Sequence, residues 1–206
     1  DLINNISIKS QNVFFDKKNK IVSSKTDSEI LDALGNILLS KSFSYDINNK
    51  IIKLNYSILI DRQKNQYKIS KAFLDLNSNR LIGKDISIDF NNSTFLNTKS
   101  TNNPRLKGKS ISFNSKITTI NKGVFTTCKK NDSCPPWQFF AEEIKHDKIK
   151  KRINYKNAWL KIYDKPVFYF PKFFHPDPTV KRQSGFLIPT IKNSSGSDGF
   201  LNTPYF

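Results

Sequence analysis

Two histidines and two cysteines are the residues of this chain that could take part in catalysis, metal binding or disulfide formation. His146 begins a polar turn with Asp147, and His175 lies in a proline-rich connector at residues 174–178. No G-x-S-x-G elbow surrounds Ser184, and the sequence does not bring a nucleophile, a base and an orienting acid together. We therefore predict that the chain is not an enzyme and needs no cofactor.

The cysteines, Cys128 and Cys134, leave several interpretations open. With His146 and His175 they could form a zinc site, but the C-x5-C spacing does not match the usual finger or ribbon spacings. They could instead close a small loop on each other, or pair with cysteines outside this sequence. Either disulfide requires an oxidising compartment. The sequence favours a disulfide over a metal.

The charge points to an anionic partner. The chain has 34 Lys and Arg against 17 Asp and Glu, a net charge of +17. Abundant Lys, Asn and Ile are also what an AT-rich genome produces. No basic helix, zinc finger or RNP-type motif is visible, so we predict no nucleic-acid partner. The alternative is a basic β-rich domain whose strand aromatics stack single-stranded bases.

Strands are the elements that the sequence predicts most clearly. One run places apolar residues at every second position, with polar residues between them, as in a strand with one apolar face; its members are Ile52, Leu54, Tyr56, Ile58 and Ile60. A shorter copy follows at Ile86, Ile88 and Phe90. The chain has no apolar run of about 18 residues, which excludes a membrane-spanning helix.

A short repeat suggests stacked hairpins. Three triplets recur at a spacing of 30 residues: Asn19-Lys20-Ile21, Asn49-Lys50-Ile51 and Asn79-Arg80-Leu81. Each predicts strand, polar turn, strand, and such units must stack to bury their apolar faces. A structural β-solenoid would show the same 30-residue repeat and is the alternative.

Residues 27–39 predict strand–turn–strand around Gly35-Asn36, with a short helix as the alternative.

The composition changes after about residue 120, where prolines and aromatics crowd the chain. Residues 184–188, a polar loop at 193–199 and residues 200–206 predict a hairpin. The chain has no initiator methionine and no signal peptide. We therefore expect it to be a piece of a longer protein.

Several segments resemble a known family. Phe125-Thr126-Thr127-Cys128, Cys134-Pro135-Pro136-Trp137-Gln138, residues 144–147 and 166–171, and above all Lys181-Arg182-Gln183-Ser184-Gly185-Phe186-Leu187 are similar to the LptD family of lipopolysaccharide-assembly outer-membrane proteins. The hairpin repeats and residues 33–37 resemble the LptA/OstA-type domain.

The resemblance implies a V-shaped antiparallel β-jelly-roll over residues 1–180, located in the periplasm. Residues 181–206 would begin a β-barrel in the cell outer membrane. Lipopolysaccharide acyl chains would run along an unclosed apolar groove, for which we expect these residues: Ile52, Leu54, Tyr56, Ile58, Ile60, Ile86, Ile88 and Phe90.

The implied partners are lipopolysaccharide, an LptA-type bridge protein added at the edge strand, an LptE-type lipoprotein at the barrel, and outer-membrane lipid. The resemblance also implies that Cys128 pairs with a cysteine of the barrel, with Cys134 as its neighbour or alternate.

Overall fold

The computed structural model describes residues 6–31, 35–91, 103–128, 136–177 and 180, and the backbone of residues 190–194 and 197–202. The prediction of an all-β protein is confirmed. The described residues form fifteen strands: β1 (Ser7–Ser10), β2 (Phe14–Asp16), β3 (Ile21–Ser24), β4 (Ser28–Leu31), β5 (Ile37–Asp46), β6 (Ile51–Ile60), β7 (Gln66–Asp75), β8 (Arg80–Asp89), β9 (Arg105–Phe113), β10 (Ile117–Thr126), β11 (Trp137–Asp147), β12 (Arg152–Ile162), β13 (Lys165–Pro176), β14 (Thr190–Ser194) and β15 (Ser197–Asn202). Within these ranges, no helix has the length and apolarity to cross a membrane.

Strands β1 to β13 form one open antiparallel sheet, and β14 and β15 form a separate two-stranded ladder. From β5 to β13, each strand pairs with the next strand along the chain. At the other end, β4 and β3 share one edge of β5, and β1 and β2 continue outward from them. This serial order of hairpins is a meander, and it differs from the coil of a solenoid.

The hairpin turns explain the sequence repeat. At the end of the preceding strand, the carboxylates of Asp16, Asp46, Asp75 and Asp147 accept backbone N–H groups of their turns. Hydrogen bonds from the turns lower the pKa of all four carboxyls, and the largest contribution comes from a backbone N–H for three of them and from the Ser78 hydroxyl for Asp75. The predicted repeat is wrong by one residue in its third copy. Asn79 has the positive φ that Lys20 and Lys50 have in the first two copies, so it corresponds to these lysines and not to Asn19 and Asn49.

Two local predictions have clear outcomes. Residues 27–39 contain β4, a turn with Gly35 at φ 78°, and the start of β5, so strand–turn–strand is confirmed. The C-terminal hairpin has its strands at Thr190–Ser194 and Ser197–Asn202. The predicted loop at 193–199 is therefore too long, and the predicted strand at 184–188 lies outside the described residues.

A single bend crosses the sheet from β5 to β13. At the bend, the ladder pairing skips a residue in each strand. In every second strand, from β6 to β12, the skipped residue has positive φ: Tyr56, Asp85, Lys122 and Asn157. On β6, Tyr56 lies opposite Lys41 and Ser70, which the ladders also skip, so the register is the same on both sides of the bend. The alternation changes there all the same, and the buried positions on β6 change from Ile52 and Leu54 to Ser57 and Leu59. The bend divides the sheet into a first arm, on the side of the aspartate turns, and a second arm.

Candidate functional site: the apolar interior between the two arms

The inner faces of the two arms form one continuous apolar interior. On the second arm, directly paired residues form a row across eleven strands: Ile8, Ile30, Leu38, Leu59, Tyr67, Ile88, Leu106, Phe125, Phe139, Leu160 and Phe168. At the usual strand separation this row is about 48 Å long. We call it the second-arm row.

The first arm carries matching rows. The row beside the bend consists of Phe43, Leu54, Ala72, Gly83, Ile111, Ile120, Ile144, Tyr155 and Phe173. Side chains of the two arms meet directly, since the ring centroids of Phe139 and Tyr155 are 5.1 Å apart and those of Phe139 and Phe173 are 5.6 Å apart. The interior is thus lined by both arms.

Small residues make the bend possible. Ala72, Gly83, Gly108, Ala141 and Ala158 lie next to it on the inner face. A Cβ on Gly83 would lie 2.6 Å from Cγ2 of Ile69, on the opposite arm. Glycine is required at this position because the branched side chain of the other arm occupies the space.

The structure separates the eight predicted groove residues into two groups. Ile52, Leu54, Ile86 and Ile88 lie on the inner face and are at most 3% exposed. Phe90 is half-buried and also packs against the core, with its ring 6.4 Å from that of Phe125.

The other three residues do not share that face. Tyr56 lies at the bend and is 71% exposed. Ile58 and Ile60 follow it and are half-buried, while their neighbour Leu59 is 2% exposed. The single apolar face predicted for β6 is therefore wrong beyond Leu54, because the bend shifts the alternation by one residue.

The inner faces of the two arms pack against each other in this structure, unlike the unsealed groove expected from the sequence. A contact between the arm ends contributes to this closure. Tyr67 of the second arm places its ring 6.4 Å from Phe113 of the first arm, and the Lys148 ammonium lies 4.1 Å from the Phe113 centroid. We call the three residues Tyr67, Phe113 and Lys148 the end contact.

Asp61 organises the second-arm side of the end contact. Its carboxylate accepts hydrogen bonds from the Tyr67 hydroxyl at 3.0 Å and from the Asn65 amide nitrogens at 2.9 Å. Burial, with the nearby Asp61 charge, raises the pKa of Tyr67. Burial lowers the pKa of Lys148, and the Asp61 charge opposes that shift. Sequence reasoning missed this cluster because its members come from distant turns.

A polar cluster lies at the C-terminal end of the interior. The buried His175 ring contacts the Tyr155 hydroxyl through Nε2 at 2.8 Å and the Pro176 carbonyl through Nδ1 at 2.6 Å. A neutral ring with its proton on Nδ1 satisfies both contacts, because it donates to the carbonyl and accepts from the hydroxyl. His146 pairs with Asp177 nearby.

Burial lowers the pKa of His175, with a smaller contribution of the same sign from His146 and opposing ones from Pro176 and Asp177. The unfolded chain therefore takes up a proton near pH 6.5 that the folded chain resists. Stability is fully present above about pH 6.5 and falls below it, by at most about 1.4 kcal/mol per pH unit for one group.

We expect His175→Gln to reduce this loss, which urea unfolding between pH 7.5 and 5 would measure. Both proteins retain His146, so the comparison isolates His175. Identical pH profiles for the two proteins would contradict the assignment.

The cysteines and the zinc alternative can be placed only in part. The Cys128 sulfur is half-buried and lies 3.8 Å from the Trp137 carbonyl oxygen. Cys134 lies outside the described residues. Among the residues that the structure describes, no group of three or more potential metal ligands is found.

Comparison with curated proteins identifies relatives of this chain. It is 36% identical over 92 residues to the LPS-assembly protein LptD of Yersinia pestis, covering 45% of the chain. It is 35% identical over 91 residues to LptD of Sodalis glossinidius, covering 44%, and 32% identical over 123 residues to LptD of Marinobacter nauticus, covering 57%. The chain is LptD-like.

The similarity to LptD covers a small part of those relatives. The match spans 11% of the Yersinia and Sodalis proteins and 14% of the Marinobacter protein. No protein-family model matches the LptD-like chain. The relatives are LPS-assembly proteins by name, and the bent antiparallel sheet is the architecture that the resemblance to LptD predicted.

Proposed function

We propose that the chain takes part in lipopolysaccharide transport and assembly at the outer membrane, as a non-catalytic domain that receives acyl chains between its two arms. The observation that carries this proposal is the second-arm row, an apolar surface that continues across eleven strands without a charged residue. Buried acyl chains contribute about 0.8 kcal/mol per CH2 group, which offsets the cost of parting the arms.

The contacts between the two arms would allow the arms to separate. The described strand ladders join only neighbouring strands of the sheet, so the arms touch each other through side chains. Parting them at the end contact breaks no ladder hydrogen bond. The bend then acts as the hinge, and the acyl chains replace contacts that the opposite arm provides in the closed form.

The two edges of the sheet suit different neighbours. At the N-terminal edge, Val13, Phe14 and Phe15 are 54%, 81% and 52% exposed, and residues 6–31 contain no proline. An exposed edge of this kind accepts an added strand. We assign it to an LptA-type bridge protein.

We base the domain boundaries, the lipoprotein partner and the disulfide on the resemblance to LptD. Residues 1–180 form the periplasmic domain, residues 181–206 begin the barrel, and an LptE-type lipoprotein binds there. Cys128 pairs with a cysteine of the barrel, with Cys134 as its neighbour or alternate. Disulfide mapping by mass spectrometry of the full-length protein tests this pairing, and two free thiols would contradict it.

Photocrosslinking tests the lipid path. A benzoylphenylalanine side chain at Ile88, on the inner face, is expected to capture lipopolysaccharide in cells that express the full-length protein. The same probe at Ser87, the next residue on β8 but on the outer face, is the matched control. Capture from Ser87 and none from Ile88 would contradict the proposed path.

A further inference from the structure

The outer face of the second arm ends in a row of aromatic side chains. Phe140, Trp159 and Tyr169 are directly paired across β11, β12 and β13, and we call them the outer aromatic row. Trp159 and Tyr169 are 37% and 46% exposed, with ring centroids 4.7 Å apart. The row is separate from the interior because Phe139 and Leu160, their chain neighbours, point inward and are buried.

Exposed apolar residues and basic side chains surround this row. Tyr163 and Val167 are 58% and 48% exposed. Residues 152–172 contain five basic residues and one acidic residue. The Lys161 ammonium lies 5.6 Å from the Phe140 ring centroid. The surface therefore combines aromatic rings with positive charge.

The adjacent edge strand does not favour a protein strand as the occupant. β13 carries Pro166, Pro171 and Pro176, which have no N–H group to donate to an added strand. Proline on an edge strand is a common barrier to edge-to-edge pairing. This edge differs from the proline-free N-terminal edge.

We propose that the outer aromatic row rests in the headgroup region of a phospholipid bilayer that contains anionic lipid. Trp and Tyr favour the membrane–water interface because one part of the ring system is apolar and another is polar. The surrounding Lys and Arg add attraction to anionic headgroups. This contact does not depend on acyl chains entering the interior, so it stands apart from the proposed transport function.

Vesicle flotation tests this contact with the 206-residue chain and vesicles of phosphatidylethanolamine and phosphatidylglycerol at 3:1. We expect the wild type to bind, and to bind less to vesicles of phosphatidylcholine alone. The double variant Trp159→Ser/Tyr169→Ser is expected to bind about tenfold more weakly because it loses both apolar rings.

The matched control is Phe73→Ser/Ile82→Ser, which changes two paired residues, each 46% exposed, on the outer face of the first arm. It should bind as the wild type does. The chain has two tryptophans, so Trp137→Phe leaves Trp159 as the only reporter. Its emission should shift to the blue with vesicles, whereas the buried Trp137 in Trp159→Phe should not respond.

Equal binding by the wild type and both double variants would overturn the proposal. So would equal binding to both vesicle types, or sedimentation showing a dimer that only Trp159→Ser/Tyr169→Ser dissociates. Lipopolysaccharide capture at Ile88 is a separate measurement, so failure of one proposal leaves the other intact.

Discussion

Replacing Ile88 with alanine is expected to lower the free energy of unfolding by about 2–5 kcal/mol. Ile88 is 2% exposed in the middle of the second-arm row, where the lost side chain leaves a cavity. The same change at Ile82, on the same strand but 46% exposed, is expected to cost about 1 kcal/mol or less.

Urea unfolding of the two variants measures this difference. Both remove the same atoms from the same kind of strand, so strand propensity is largely matched. Equal losses at Ile88 and Ile82 would show that the bend does not separate an inner from an outer face on β8.

Replacing Gly108 with alanine is expected to lower the free energy of unfolding by about 1–3 kcal/mol, the usual cost of overpacking. The added Cβ would lie 2.5 Å from Cγ2 of Ile120 and 3.1 Å from Cγ2 of Ile86. Both methyls are fixed on branched Cβ atoms, so neither can rotate away without moving a whole side chain.

Gly123→Ala is the matched control for the bend. Its nearest obstacle is the terminal Cδ1 of Ile144, which can adopt another rotamer. We expect a smaller loss of stability than for Gly108→Ala in the same unfolding experiment. A larger loss at Gly123 would contradict the packing described at the bend.

The strands could be predicted from alternation, but the bend was missed. An adjacent pair of polar residues beside a small one marks it, as in Gly83-Lys84-Asp85 and Lys156-Asn157-Ala158. On β6 the position is occupied by Tyr56, which fits an apolar alternation and hides the signal. The prediction therefore placed Ile58 and Ile60 on the inner face, where Ser57 and Leu59 lie.

The sequence indicates the apolar strand faces, but it does not indicate that two such faces pack against each other. Alternation identifies apolar faces, and it carries no information on whether two such faces contact each other. The closure depends on pairs that are distant in sequence, such as Tyr67 with Phe113 and Phe139 with Tyr155. Such contacts are set by the bend and by the order of the strands.

The proposed function requires that acyl chains contact the inner faces of the bent sheet. A photocrosslinking scan of β6, one position at a time in the full-length protein, tests it most directly. We expect lipopolysaccharide capture from positions 52, 54, 57 and 59, with little from 53, 55, 56, 58 and 60. Capture from 52, 54, 56, 58 and 60, or from no position, would contradict it.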